Sequence, residues 1–226
     1  MKINADFSKP AVVDSRSLPW LPSPLPGVAR RMLERDGEEV ARVTSLVRYA
    51  PGSRFSAHTH TGGEEFLVLQ GVFSDDYGVF PVGTYVRNPI GSRHAPHSDG
   101  GCVILVKLWW AHQADQDYVR LDTTAEALWR ETDLAGVERM ALHDFEAEST
   151  ALYRLAPGAA LPARELPGGE EIYVLEGACA DEGRYGEGGW RRLPVGAAPE
   201  LASEAGCRPF VKRGHLLAPP PGPPIC

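Results

Sequence analysis

Four side chains in the first half of the chain have the types and spacing of metal ligands: His58, His60, Glu64 and His94. His58 and His60 are separated by one residue, and on a β-strand that spacing sends both imidazoles to the same face. Glu64 follows a Thr61-Gly62-Gly63 turn that can bring a carboxylate back toward them. His94 comes later, just past Pro89-Ile90-Gly91. Three imidazoles and one carboxylate are borderline nitrogen and oxygen donors, suited to zinc, iron, manganese, nickel or cobalt. The expected cofactor is one divalent transition metal, zinc first, with iron, manganese or nickel as alternatives. His97, three residues past His94, is a fifth ligand, a donor behind the ligands, or an exposed loop residue. His112, His143 and His215 have no such company and are not read as ligands.

An internal repeat supplies the elements that must position these groups. Gly62-Gly-Glu-Glu-Phe-Leu-Val-Leu-Gln-Gly71 returns as Gly168-Gly-Glu-Glu-Ile-Tyr-Val-Leu-Glu-Gly177, an offset of 106. Pro89-Ile-Gly91 returns as Pro194-Val-Gly196, and Gly101-Cys102 as Gly206-Cys207, both at 105. One unit is about a hundred residues, the size of a domain rather than of a solenoid repeat. The boundary is placed in the polar stretch from Gln113 to Asp122, giving domains 1–116 and 117–226. Each copy reads as short strands rich in β-branched and aromatic residues, such as Glu65–Leu69 and Val103–Trp109, punctuated by Gly and Pro. That pattern predicts an all-β sandwich or barrel. A short helix is expected at Ala125–Arg130. Leu18–Pro26 reads as an extended polyproline arm on the surface, and the Pro-rich tail from Ala218 as a frayed end.

Composition excludes several partners. The net charge is −7 with no basic stripe, which argues against nucleic acid. The start lacks the apolar core of a secretory signal, and no apolar stretch is long enough to span a bilayer. The four cysteines form no C-x-x-C pair, so neither a disulfide framework nor a cysteine zinc cluster is expected. Cys102 and Cys207 occupy matching positions at the start of an apolar strand. They read as small buried hydrophobes, with a redox role as the lesser alternative. A cytoplasmic protein with no membrane partner is expected.

The residues around the ligands carry a resemblance. Gly52-x5-His58-x-His60-x3-Glu64-x6-Gly71 and Gly83-x5-Pro89-x-Gly91-x2-His94-x3-Ser98 are similar to the two cupin motifs, with Ser98 where the second motif has Asn. The cupin resemblance implies an all-β fold of two tandem barrels (double-stranded β-helix, jelly roll). It also implies that His58, His60, Glu64 and His94 hold the metal. More narrowly, Arg42 to Lys107 resembles the cupin domain of ChrR-type anti-sigma factors. The carriers are His58-Thr-His60-Thr-Gly-Gly-Glu-Glu, Gly71-Val-Phe-Ser-Asp-Asp, Gly83-Thr-Tyr-Val-Arg-Asn-Pro and His94-Ala-Pro-His97-Ser. In that family a helical zinc domain holds the sigma factor, and the cupin domain responds to oxidative stress. This chain lacks that helical domain and its H-x3-C-x2-C motif, so the resemblance stops at the cupin part.

The second copy is expected to bind no metal. Arg164, Leu166 and Pro199 stand at the positions of His58, His60 and His94, and only Glu170 matches its counterpart, Glu64. A guanidinium does not give up its proton to bind a cation. A buried carboxylate needs a counter-charge, so Arg164 is expected to pair with Glu170. Function then reads as sensing or regulation: a small-molecule ligand or oxidant acts at the metal, and a regulatory protein partner reads the result. A homodimer is expected by resemblance. The alternative is a non-haem metal dioxygenase for a small aromatic or diketone substrate, with Glu65 or Tyr85 assisting proton transfer.

Overall fold

The structure is a computed structural model that describes residues 1–38, 41–181 and 183–217. The Pro-rich tail from Ala218, with Cys226, lies outside the described residues. The chain is built from β-strands, and the described residues contain no α-helix. The helix expected at Ala125–Arg130 is reduced to one 3-10 turn, Glu126–Leu128. A β-turn-rich sequence with Gly and Pro at short intervals has no room for more.

The described chain divides into two compact units. One comprises residues 1–5 and 19–124; the other comprises residues 6–18 and 125–217. In the first unit the main antiparallel sheet runs Val28–Gly37, Ala41–Tyr49, Cys102–Leu108, Glu64–Asp75, Thr84–Asn88, Val119–Asp122. In the second it runs Val137–Phe145, Glu148–Leu155, Cys207–Arg213, Glu170–Ala180, Gly189–Leu193, Ala11–Asp14. The two orders are the same. The outermost strand is the unexpected member of each. Ala11–Asp14 precedes the first repeat in sequence yet pairs with Gly189–Leu193 in the second unit. Val119–Asp122, read from sequence as polar linker, pairs with Thr84–Asn88 in the first. The surface arm holds as largely exposed and extended, but Leu21–Pro22 within it pairs with Ala29 and Arg30.

Each unit has its own apolar core. Phe66, Val68, Phe73, Phe80, Val86, Cys102, Ile104 and Val106 form the first; Tyr153, Ile172, Val174, Cys179, Tyr185, Leu201, Cys207 and Val211 belong to the second. Alternation decides which side chains share that core. Glu64, Phe66 and Val68 point to one face of their strand, whereas Glu65 and Leu67 point to the other. A ligand-type carboxylate therefore opens a row of otherwise apolar interior positions.

Candidate metal centre

Two short strands, His58–Thr59 and Arg93–His94, pair antiparallel and set His58 directly opposite His94. His60 is held by its backbone: its N–H donates to Ser92 O, and its carbonyl accepts from Gly63 and Gly91. The Gly62-Gly63 turn requires glycine. Gly63 has φ +73°, and a Cβ on Gly62 would stand 2.3 Å from the Trp109 ring.

The three imidazole rings form a near-equilateral triangle with centroids 4.8, 5.1 and 4.8 Å apart. His60 Nε2 is 2.9 Å from His94 Nε2, and Glu64 Oε2 lies 3.3 Å from the first and 3.7 Å from the second. Donors bound at about 2.1 Å to one ion stand about 3.0 Å apart at right angles and about 3.4 Å apart at tetrahedral angles. These donors have that spacing. His58, His60 and His94 form a group able to hold a metal ion, and the Glu64 carboxylate touches two of them. His60, Glu64 and His94 are buried, and His58 is exposed, so the group opens to solvent on its His58 side.

The surrounding hydrogen bonds aim these donors. Asp75 Oδ2 lies 2.8 Å from His94 Nδ1, which assigns the ring proton to Nδ1 and leaves Nε2 free. His58 Nδ1 lies 3.2 Å from the Ser56 carbonyl, with the same result. Asn88 Nδ2 donates to Glu64 Oε2 at 2.9 Å, and Arg120 Nη2 donates to Asn88 Oδ1 at 2.5 Å. Burial lowers the His60 pKa, outweighing the nearby Glu64, and so favours the neutral ring that a metal needs. Burial also opposes charge on His94 and Asp75. Their mutual hydrogen bond is the chief force against it: His94 is raised and Asp75 lies below the usual carboxylate range.

In the second unit the same backbone frame surrounds different chemistry. Leu166 N–H donates to Ala197 O, and its carbonyl accepts from Gly169 and Gly196, bond for bond as at His60. Leu166 is buried and apolar. Arg164 corrects an expectation: it is exposed and does not pair with Glu170. Glu170 is instead held by Arg191 and by Arg213, whose Nε donates at 2.7 Å. Arg191 also pairs with Asp181, which matches Asp75. Arg191 and Arg213 stand at the positions of Val86 and Leu108, so two interior apolar residues have become cations. Arg191 is fully buried, and burial lowers its pKa despite Glu170. Two guanidiniums thus face two carboxylates whose side chains are buried.

The model of the ChrR cupin-like domain matches this chain twice, over residues 8–112 and 118–217. The chain belongs to the ChrR cupin-like domain family. No curated protein sequence matches it. Among solved structures it is similar to a candidate dioxygenase from Nostoc punctiforme, with TM-score 0.74 and 18% identity. That match covers 94% of this chain and 86% of the other. It is also similar to the Escherichia coli pirin YhhW in complex with nickel(II), with TM-score 0.66 and 12% identity over 91% and 98% of the two chains. A third is a variant of salicylate 1,2-dioxygenase from Pseudoaminobacter salicylatoxidans, with TM-score 0.59, 14% identity, and coverage of 76% and 71%. These likenesses establish the cupin fold over nearly the whole chain.

Within this cupin-like frame the residues singled out by sequence separate. His58, His60 and His94 come together, with Glu64 beside His60 and His94. His97 does not join them; it is half-buried in a short strand opposite Arg54 and Ser74. Glu65 and Tyr85 are joined by a 2.9 Å hydrogen bond, but Glu65 follows Glu64 on its strand and so points to the opposite face, away from the imidazoles. Proton transfer at the metal centre is therefore not theirs. Cys102 is a buried core thiol whose pKa burial raises, as a small hydrophobe requires. Asp75, Asn88 and Arg120 were not expected. Asp75 left a trace, since it recurs as Asp181 at the repeat offset.

Proposed function

We propose that this protein is a metal-binding regulatory bicupin. Its first unit holds one divalent transition metal through His58, His60, Glu64 and His94, and its second unit is the metal-free partner. The grouping of three imidazoles, two of them touched by the Glu64 carboxylate and one open to solvent, is the observation that carries this reading. When bound, the metal would supply a Lewis-acidic position at which a small ligand or oxidant binds. His94 would be kept in the ligating tautomer by Asp75, and Glu64 kept oriented by Asn88. Membership of the ChrR cupin-like family supports a sensing output passed to a regulatory protein partner. Among the described residues no helix is long and apolar enough to cross a membrane.

A second reading, a non-haem dioxygenase for a small aromatic or diketone substrate, is favoured by the exposed His58 edge and by the fold's likeness to dioxygenases. Two assays separate the readings. Ferrous-loaded protein is tested for oxygen uptake against catechol, salicylate and acetylacetone. The same protein is tested for a melting-temperature shift with hydrogen peroxide or small carboxylates. The regulatory reading predicts a shift that is lost in His94→Ala, with no uptake above the buffer rate. Substrate-dependent uptake that His94→Ala abolishes would overturn it.

A further inference from the structure

The second unit holds two thiols where the first holds a thiol and a phenyl ring. Cys207 matches Cys102, and Cys179 matches Phe73 at the repeat offset of 106. Cys179 and Cys207 are 2% and 7% exposed and belong to one core cluster. Backbone geometry brings them together. Cys207 pairs directly with Gly177, and Cys179 lies two residues further along the same strand, on the same face. The crossing is unusually close. A Cβ on Gly177 would stand 2.2 Å from the Gly206 carbonyl oxygen, and Gly177 has φ +72°. Each thiol shifts the titration of the other: Cys207 is lowered to about 7, and Cys179 is raised.

Each of the two residues also borders a cavity. Cys207 lines a cleft of about 970 Å³, together with Leu134, Gly136, Leu155 and Arg208. Cys179 lines a separate small cavity of about 160 Å³, among Ala178, Ala180 and Ala202. The first unit is the internal control, because Cys102 faces no second thiol at the equivalent place.

We propose that Cys179 and Cys207 are a redox modification site, a dithiol that a peroxide entering the larger cleft converts to an intramolecular disulfide. Cys207 is the attacking thiol. It borders the larger cleft, and the neighbouring Cys179 lowers its pKa against burial while Cys207 and burial raise that of Cys179. The Cys207 thiolate attacks one peroxide oxygen, the O–O bond breaks, and the other oxygen leaves as water or an alcohol after protonation. The resulting sulfenic acid is attacked by the Cys179 sulfur. The S–S bond forms, the S–O bond breaks, and water leaves with the Cys179 proton. Two thiols are thus oxidised by two electrons as one peroxide is reduced. This inference is independent of the metal reading of the first unit.

The test uses the folded full chain carrying Cys226→Ser, which leaves Cys102, Cys179 and Cys207. After hydrogen peroxide and quenching, thiols are alkylated in denaturant and the digest is mapped by mass spectrometry. We expect the free thiols to fall from three to one, Cys102 to remain alkylated, and a single Cys179–Cys207 cross-linked peptide to appear that dithiothreitol removes. Cys179→Ala should leave Cys207 as a sulfenic acid, trapped by dimedone, with no cross-link. Three thiols still free after treatment overturn the proposal. So does a cross-link through Cys102 or between chains, or oxidation that begins only once the chain is unfolded.

Discussion

The two units keep the same strand order and the same backbone hydrogen bonds around the site, yet solve one electrostatic problem in two ways. Each buries a carboxylate on its central strand, Glu64 or Glu170, and the side chain of an aspartate further along, Asp75 or Asp181. In the first unit these face three imidazoles, a donor set suited to a divalent cation. In the second, His60 becomes Leu166 and His94 becomes Pro199, while Val86 and Leu108 become Arg191 and Arg213. The second copy thus differs by more than absent imidazoles. The remaining buried charges must be neutralised, and the cations enter from neighbouring interior positions, not from the vacated ligand positions. Arg164, at the place of His58, stays in solvent.

The largest expected effect that tests this comparison is Arg191→Met. It strips Asp181 of its buried cation and leaves Glu170 to Arg213 alone, and should cost about 3–5 kcal/mol, measured by urea unfolding. A loss no larger than that of a surface change would mean that the guanidinium is not the ion's replacement. Next is Asp75→Asn in the first unit. It replaces the charged acceptor behind His94 Nδ1 with a neutral amide and should weaken metal affinity about 10–100-fold by competition with a chelator, leaving the fold intact. Asn88→Ala, which frees Glu64 on one side, should weaken affinity in the same assay by less, about 1 kcal/mol. Smallest is Arg164→Met. Its side chain is exposed and holds no buried partner, so stability should move by no more than about 0.5 kcal/mol. A large loss there would restore the pairing with Glu170 and contradict the geometry.

Much of this was legible in the sequence because the repeat turns the chain into its own alignment. The fixed spacing of His58, His60, Glu64 and His94, with glycines at the turns between them, pointed to both the fold and the site. Other features depended on pairing between strands distant in sequence. Arg191 reaches Glu170 across 21 residues, and no short motif marks that distance. Its clue is subtler: a charged residue at a position where the first copy is apolar. The exchange of Ala11–Asp14 and Val119–Asp122 was hidden because sequence reading assigns each strand to the repeat it adjoins. Glu65 and Tyr85 were misplaced by treating neighbours of a ligand as neighbours of the metal. On a strand, the residue beside a ligand faces the other way.

The central claim is that the metal belongs to the first unit alone. It is tested most directly by metal analysis of untagged protein purified without chelator, beside His60→Leu/His94→Pro, which copies the second unit's residues into the first. The account predicts about one divalent transition metal per chain in the wild type and a negligible amount in the variant. A wild type without metal, or a variant that keeps its full complement, would contradict it.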